Sequence, residues 1–329
     1  MDYHHLYRTN GGTQMDKLLI ASSSPHIRSK ETTQRVMLDV IIALMPALIG
    51  SIYFFRFNAL KLILVSVITA VLTEYLIQKF RKKKVTITDL SAVVTGILLA
   101  FNLPASAPWW IALIGSAFAV AIVKQAFGGL GHNFMNPALA ARAMLVASWP
   151  KIMTGSWVTA GVDAISTSTP LAEYRWGHPL TFSLQDLFLG NVAGCIGETS
   201  ALLLIIGGLY LLYRRVIQWR IPVCYIGTVA IIMLIAGKGF DGMMIHLFAG
   251  GLMLGAFFMA TDYASSPVSP KGQIIYAIGC GFITSIIRLR GGYPEGVSYS
   301  ILLMNVAAPL IDKYTRPKVF GASEVKKNA

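Results

Sequence analysis

Ten apolar stretches set the terms on which this chain can fold. They fall near 36–55, 60–79, 89–103, 108–127, 137–149, 194–213, 221–237, 242–260, 272–287 and 297–311, separated by polar or glycine-rich connections that are short except for the long one over 150–193. No ordinary soluble domain hides so much apolar surface: 55% of the 329 residues are hydrophobic and 13% charged, where a soluble domain carries about a quarter charged. The expectation is an all-α polytopic membrane protein with about ten transmembrane helices. Several stretches fall short of the ~20 residues that take a straight helix across the hydrocarbon core, so some helices are expected to be broken or partly re-entrant.

The formal charge of +13 argues for membrane lipid rather than nucleic acid, because the basic residues form short runs between apolar stretches, where they act as orientation signals. With a cytoplasmic N-terminus and strict alternation, one side collects Arg28, Lys30, Arg35, the Arg81-Lys82-Lys83-Lys84 run, Arg214, Arg215, Arg220 and the tail lysines. Both termini are then cytoplasmic. The organisation that follows is a cytoplasmic segment over 1–35, a first membrane repeat over 36–149, an outer loop over 150–193, a second repeat over 194–311 and a cytoplasmic tail over 312–329. Residues 1–14 differ in character from the rest, and Met15 is an alternative start.

The halves echo each other. Gly128-Gly129-Leu130-Gly131 after the fourth stretch matches Gly291-Gly292-Tyr293-Pro294-Glu295-Gly296 after the ninth, and the third stretch resembles the eighth. Five helices per half is an odd number, which places the halves in opposite directions across the membrane: two inverted five-helix repeats, a plan whose working site lies where interrupted helices meet. The glycine pairs serve either that site or close helix packing.

Candidate functional residues are few. Acids at membrane depth are costly and functional by default. Asp39, Glu74, Asp89 and Asp262 stand near the ends of stretches, where interfacial or capping roles are expected, whereas Glu198 is expected about one turn inside the sixth span and is the favoured ion-path residue. His246 reads as a hydrogen-bonded core histidine. Cys195, Cys224 and Cys280 are far apart in sequence, and no spacing suggests a metal site. There is no Walker A loop and no dinucleotide fingerprint.

Asp163-Ala-Ile-Ser166-Thr-Ser-Thr169-Pro170-Leu171 is a polar run near the middle of the outer loop. Such clusters usually bond their own backbone. Here Pro170 favours an extended Thr169, and small neighbours leave its hydroxyl open to a modifying enzyme.

Several segments together resemble the RnfD/NqrB family: most closely the D component of Rnf-type ion-translocating oxidoreductases and, more distantly, the B component of the sodium-pumping NADH:quinone reductase. They are Ser23-Ser24-Pro25-His26, Lys124 to Gly131, Asn136-Pro137-Ala138, Gly194 to Glu198, Ala256 to Asp262 and Arg290 to Gly296. In that family a flavin transferase recognises Asp-x-x-Ser-Gly-Ala-Thr and esterifies the threonine with the phosphate of FMN. Asp163, Ser166 and Thr169 match, with Pro170 and Leu171 following, while Thr167 and Ser168 replace the usual Gly and Ala. The resemblance implies a multi-pass membrane component of a larger complex in a prokaryotic cytoplasmic (inner) membrane, not catalytic alone. It implies covalent FMN on Thr169, and it allows a noncovalent riboflavin with no residue here to place it. Electrons would pass between ferredoxin and NAD, coupled to Na+ or H+ translocation. The implied partners are a flavin-bearing outer-side subunit, iron–sulfur membrane subunits and the flavin transferase. The alternative is a channel or secondary transporter for a small solute on the same inverted-repeat plan, without redox function.

Overall fold

The computed structural model describes residues 32–155, 157–158, 165–166, 168–198, 200–292 and 295–316. Helices dominate them, and among the described residues the strands are a two-residue antiparallel pair, β1 (Trp157–Val158) with β2 (Ile165–Ser166). Helix α1 runs Thr33–Phe80 but is two helices joined at Arg56, whose φ of 50° and ψ of −132° no helix accommodates. The turn lies between the first two apolar stretches, where the sequence places it.

Helix α2 (Ser91–Phe101) is short. Helix α3 (Trp109–Phe118) continues as a π-helical turn over Ala119–Gln125, and α4 covers Pro137–Ser148. The segment that follows α4 contains α5 (Pro150–Thr154), the β pair, α6 (Pro170–Trp176) and α7 (Leu184–Leu189). After it come α8 (Ala201–Tyr213), α9 (Arg220–Ile235), α10 (Gly239–Phe248), α11 (Leu252–Leu254, continued as a π-helical turn through Met259), α12 (Pro270–Arg290) and α13 (Val297–Thr315).

Thr33–Phe80 and Pro270–Arg290 are each long and apolar enough to cross a membrane, and the pair Gly239–Phe248 with Leu252–Met259, bent by 59°, has the form of a broken span or a re-entrant loop. Ile49, Leu72, Leu209, Ile231, Phe282 and Val306 point outward from these and neighbouring helices, as a lipid-facing surface requires. The core runs through α1, α2, α4, α9 and α12, with Leu44, Leu62, Leu99, Leu145, Tyr225 and Tyr276 fully enclosed. A second, smaller core of Leu171, Leu187, Val192, Ile245 and Ala249 fastens α6 and α7 to the break between α10 and α11.

That break has a definite chemical support. Gly250 and Gly251 both take positive φ, 70° and 69°, and so turn the chain where a side chain would be strained. The carbonyls set free must find donors, since unpaired backbone is intolerable at membrane depth. Arg288, 1% exposed, supplies them: its guanidinium donates to the carbonyls of His246, Ala249 (3.2 Å), Gly250 (3.1 Å) and Glu295 (2.9 Å).

One expected boundary is corrected. The sequence starts the sixth helix at residue 194, with Glu198 inside it, but α8 begins at Ala201 and the Ser200 hydroxyl caps it. Residues 195–198 instead turn back on the end of α2, with Ile196 N–H donating to Leu103 O (2.9 Å) and Gly197 N–H to Phe101 O (3.0 Å). Apolar composition continues past the helix start because these residues are buried as irregular backbone.

Candidate functional site

Thr169 occupies the position just before α6, extended at φ −89° and ψ 159°, as its place before proline predicts. A threonine there normally turns its hydroxyl onto the first backbone N–H groups of the helix. This one does not, and its Oγ1 is buried without a hydrogen-bond partner among the described residues. Its neighbour differs: Ser168 Oγ donates to Glu173 Oε1 at 3.0 Å. Of these two adjacent hydroxyls, Thr169 is the one left chemically open.

The sequence places this hydroxyl in solvent, and the structure corrects that. Thr169 is 7% exposed, because Pro170, Leu171 and Ala172 are drawn into the small core below α6. Its surroundings are a cavity of about 240 Å³, bounded by Trp157, Trp176, Arg142, Glu295 and Tyr299 among others. On its other side Thr169 borders a narrow cleft with Glu198 and Gly250. Asp163 and Thr167 lie outside the described residues, and of Ser166 only the strand position in β2 is described.

Arg142 links these parts. It projects from α4, whose N-terminus is fixed by Asn136 Oδ1 accepting from the Ala138 and Leu139 N–H groups at 3.0 and 3.2 Å. Its Nη1 donates to Glu198 Oε1 and to Asn102 Oδ1, each at 2.7 Å, and its Nη2 donates to Glu295 Oε2. Glu198 is therefore an ion-paired residue of irregular backbone. Cys195, Glu198 and Glu295 bring ligand atoms within 4.8 Å of one another, and both carboxylates also bond Arg142.

Polar contacts continue away from Thr169. Asn102 closes α2 and places its Nδ2 3.8 Å from Met259 Sδ, and Asn136 Nδ2 donates to Met259 O at 3.3 Å. Beyond lies a second cavity of about 100 Å³ bordered by Asn133, Asn136, Lys124, Thr261 and Asp262. Asp262 accepts from Ser265 Oγ (2.9 Å), Ala264 N–H (3.3 Å) and Asn133 Nδ2 (3.1 Å), and so ties a turn together rather than capping a helix. Asp89 likewise accepts from Ser91 N–H and Oγ. Asp39 pairs with Arg214 at 3.2 Å and Tyr210 at 2.9 Å.

Glu74 departs from expectation: it is no cap but half of a fully enclosed ion pair with Lys124, at 2.9 Å. His246 also departs, since it stacks edge-on against Tyr174 with neither ring nitrogen hydrogen-bonded.

The match to known proteins agrees with the segments that carry the resemblance. The model of the NQR2, RnfD, RnfE family matches residues 20–321. This chain belongs to that family. It is 59% identical over 314 residues, 94% of its length and 98% of the relative's, to the D component of the Na(+)-translocating ferredoxin:NAD(+) oxidoreductase complex of Acetobacterium woodii. It is 49% identical over 317 residues to the D component of the proton-translocating complex of Clostridium ljungdahlii, covering 91% of this chain and 95% of that one. It is 37% identical over 343 residues to the D component of the ion-translocating oxidoreductase complex of Yersinia pseudotuberculosis, covering 91% and 97%. Membership makes the chain a membrane subunit of an ion-translocating oxidoreductase complex, assembled with other subunits.

Arg142 and Glu295 are the site residues that sequence reasoning misses. Arg142 carries a visible signal, a single base inside an apolar stretch, and the rule that intramembrane charge marks function extends to it as well as to the acids. Trp157 has no such signal, since only the fold brings it to Thr169.

Proposed function

We propose that Thr169 is the attachment point of FMN, joined as a phosphoester through Oγ1, and that the chain relays electrons on the outer side of a ferredoxin:NAD oxidoreductase complex. The observation that carries this reading is the buried, unpartnered Thr169 hydroxyl on the wall of a cavity. A buried polar atom left unpaired costs about 1–3 kcal/mol, and a covalent phosphate removes the hydroxyl altogether. The residues present fit such a group. The cavity offers aromatic walls and a guanidinium, while its volume, below the roughly 300 Å³ at which ligand pockets begin, suits part of a flavin nucleotide with the remainder at the mouth beside Trp176.

Bound FMN would supply reversible electron uptake and release. The chain's own part is to hold it: Pro170 fixes the extended backbone, α6 anchors through Leu171, and Trp157 shields one wall from water. Glu173 secures the outer segment by accepting from Ser168 Oγ, Thr181 N–H and Thr181 Oγ1. Thr169 is enclosed in the folded chain, so attachment by the flavin transferase requires its hydroxyl to be exposed first.

The transported ion is Na+ or H+, the two named in the relatives. The proposed architecture is ten spans in two inverted halves, multi-pass in the cytoplasmic membrane of a prokaryote with both termini cytoplasmic. The short α2 and the bent α10–α11 pair support it as broken helices, one in each half. Glu198 lies at the outer end of the polar contacts leading to Asp262, which is what supports it as an ion-path residue. The partners proposed are a flavin-bearing outer-side subunit and iron–sulfur membrane subunits.

The test is in-gel flavin fluorescence of the denatured chain after co-expression with a flavin transferase. Wild type is expected to fluoresce and Thr169→Ala to be dark. Absence of fluorescence in wild type, with the transferase active on another substrate, would remove the tethered flavin and favour a solute channel.

A further inference from the structure

The reading of Thr169 leaves one arrangement unused: Arg142 is a single guanidinium held between two carboxylates on the wall of the same cavity. Glu198 is fixed, with a side chain 6% exposed on a segment bonded to the end of α2. Glu295 is looser, 22% exposed, in the connection that precedes α13. The second buried guanidinium nearby, Arg288, gives its N–H groups to main-chain carbonyls, so Arg142 and Arg288 together balance Glu198 and Glu295.

A phosphodiester at Thr169 adds a negative charge to this balanced wall and needs donors. Among the described residues that border the cavity, Arg142 is the basic one. With Nη1 kept by Glu198 and Asn102, the N–H groups of Nη2 are the ones a phosphate can take as charge-assisted hydrogen bonds, in a plane that Glu198 fixes and that a lysine's rotatable ammonium does not reproduce. Glu295 takes Nη2 at the cavity side.

Resting on the flavin reading of Thr169, we propose that Arg142 is the phosphate-positioning residue and that Glu295 holds the anion's place in the unmodified chain. Its carboxylate occupies Nη2 until a flavin phosphate displaces it. Glu198 stays in place and keeps the guanidinium aimed at the cavity.

The test uses the full chain made without flavin transferase, purified in detergent, with FMN and riboflavin titrated separately against quenching of tryptophan fluorescence. Trp157 and Trp176 border the cavity and report occupancy. The two ligands differ in the phosphate alone. Wild type is expected to bind FMN about tenfold more tightly than riboflavin, as a charge-assisted pair implies. Glu295→Gln is expected to tighten FMN several-fold and leave riboflavin unchanged, while Arg142→Lys is expected to abolish the preference. Equal affinity for the two ligands in wild type, a Glu295→Gln change that moves both alike, or no binding of either would overturn the assignment. Glu295→Gln keeps the test decisive where Arg142→Lys fails to fold. Covalent flavin present in gels while these titrations fail would reject the Arg142 assignment alone; absence of covalent flavin would reject the reading beneath it.

Discussion

Two buried cations, Lys124 and Arg142, stand in two cavities of one molecule and differ in how completely they are matched. Lys124 meets Glu74 at 2.9 Å and Ser91 Oγ at 2.6 Å, and Gln78 and Gln125 donate to the other Glu74 oxygen. Every group in that set has its partner. Arg142 faces two carboxylates and a cavity wall on which Thr169 Oγ1 has none. A closed set of charges holds helices in place, whereas a set open to a cavity beside an orphan hydroxyl has room for a further group. The comparison assigns structure to the first cluster and chemistry to the second.

The largest effect is expected where the closed set is opened. Lys124→Ala leaves Glu74 buried and unpaired and should destabilise the chain by about 4 kcal/mol, read as a fall in Tm in detergent. Lys124→Met with Glu74→Leu should recover most of that loss, and failure to recover would give this pair a role beyond packing. Arg288→Met comes next: with the carbonyls at the α10–α11 break left bare, a loss of about 3 kcal/mol is expected, detected as proteolysis near Gly250 at temperatures the wild type withstands.

Glu198→Gln acts on the open set. It is expected to impair ion transport by the assembled complex while in-gel flavin stays normal, and loss of assembly would make Glu198 structural instead. Asp39→Asn keeps an acceptor for Tyr210 and removes the charge from a buried carboxylate facing a one-third exposed Arg214, and should cost about 1 kcal/mol. The smallest change is expected at Thr169 itself. Thr169→Val swaps an unpaired buried hydroxyl for a methyl of the same shape and should leave Tm unchanged or slightly raised; a clear fall would show that the hydroxyl has a structural partner.

Much of the fold was legible because apolar length is read directly from composition: the turn at Arg56, α4 and α13 lie where hydropathy puts them. What composition cannot show is where helix stops inside an apolar run. Residues 195–198 read as membrane helix yet fold back on α2, since burial rather than helicity is what their apolar character records. The site divides in the same way. Thr169 stands out by motif and Glu198 by charge, but their common link, Arg142, and the displacement of Thr169 from solvent into a cavity come from packing across distant segments. His246 shows the limit of residue-type rules, as a buried histidine with no hydrogen bond to either nitrogen.

The central claim is that one hydroxyl among several neighbours carries the flavin. Peptide mass spectrometry of the segment spanning residues 163–171, from protein co-expressed with a flavin transferase, tests it most directly. The account predicts a fragment carrying the mass of FMN on Thr169, with Ser166, Thr167 and Ser168 unmodified. FMN on any of those three, or an unmodified peptide from fully active complex, would contradict it.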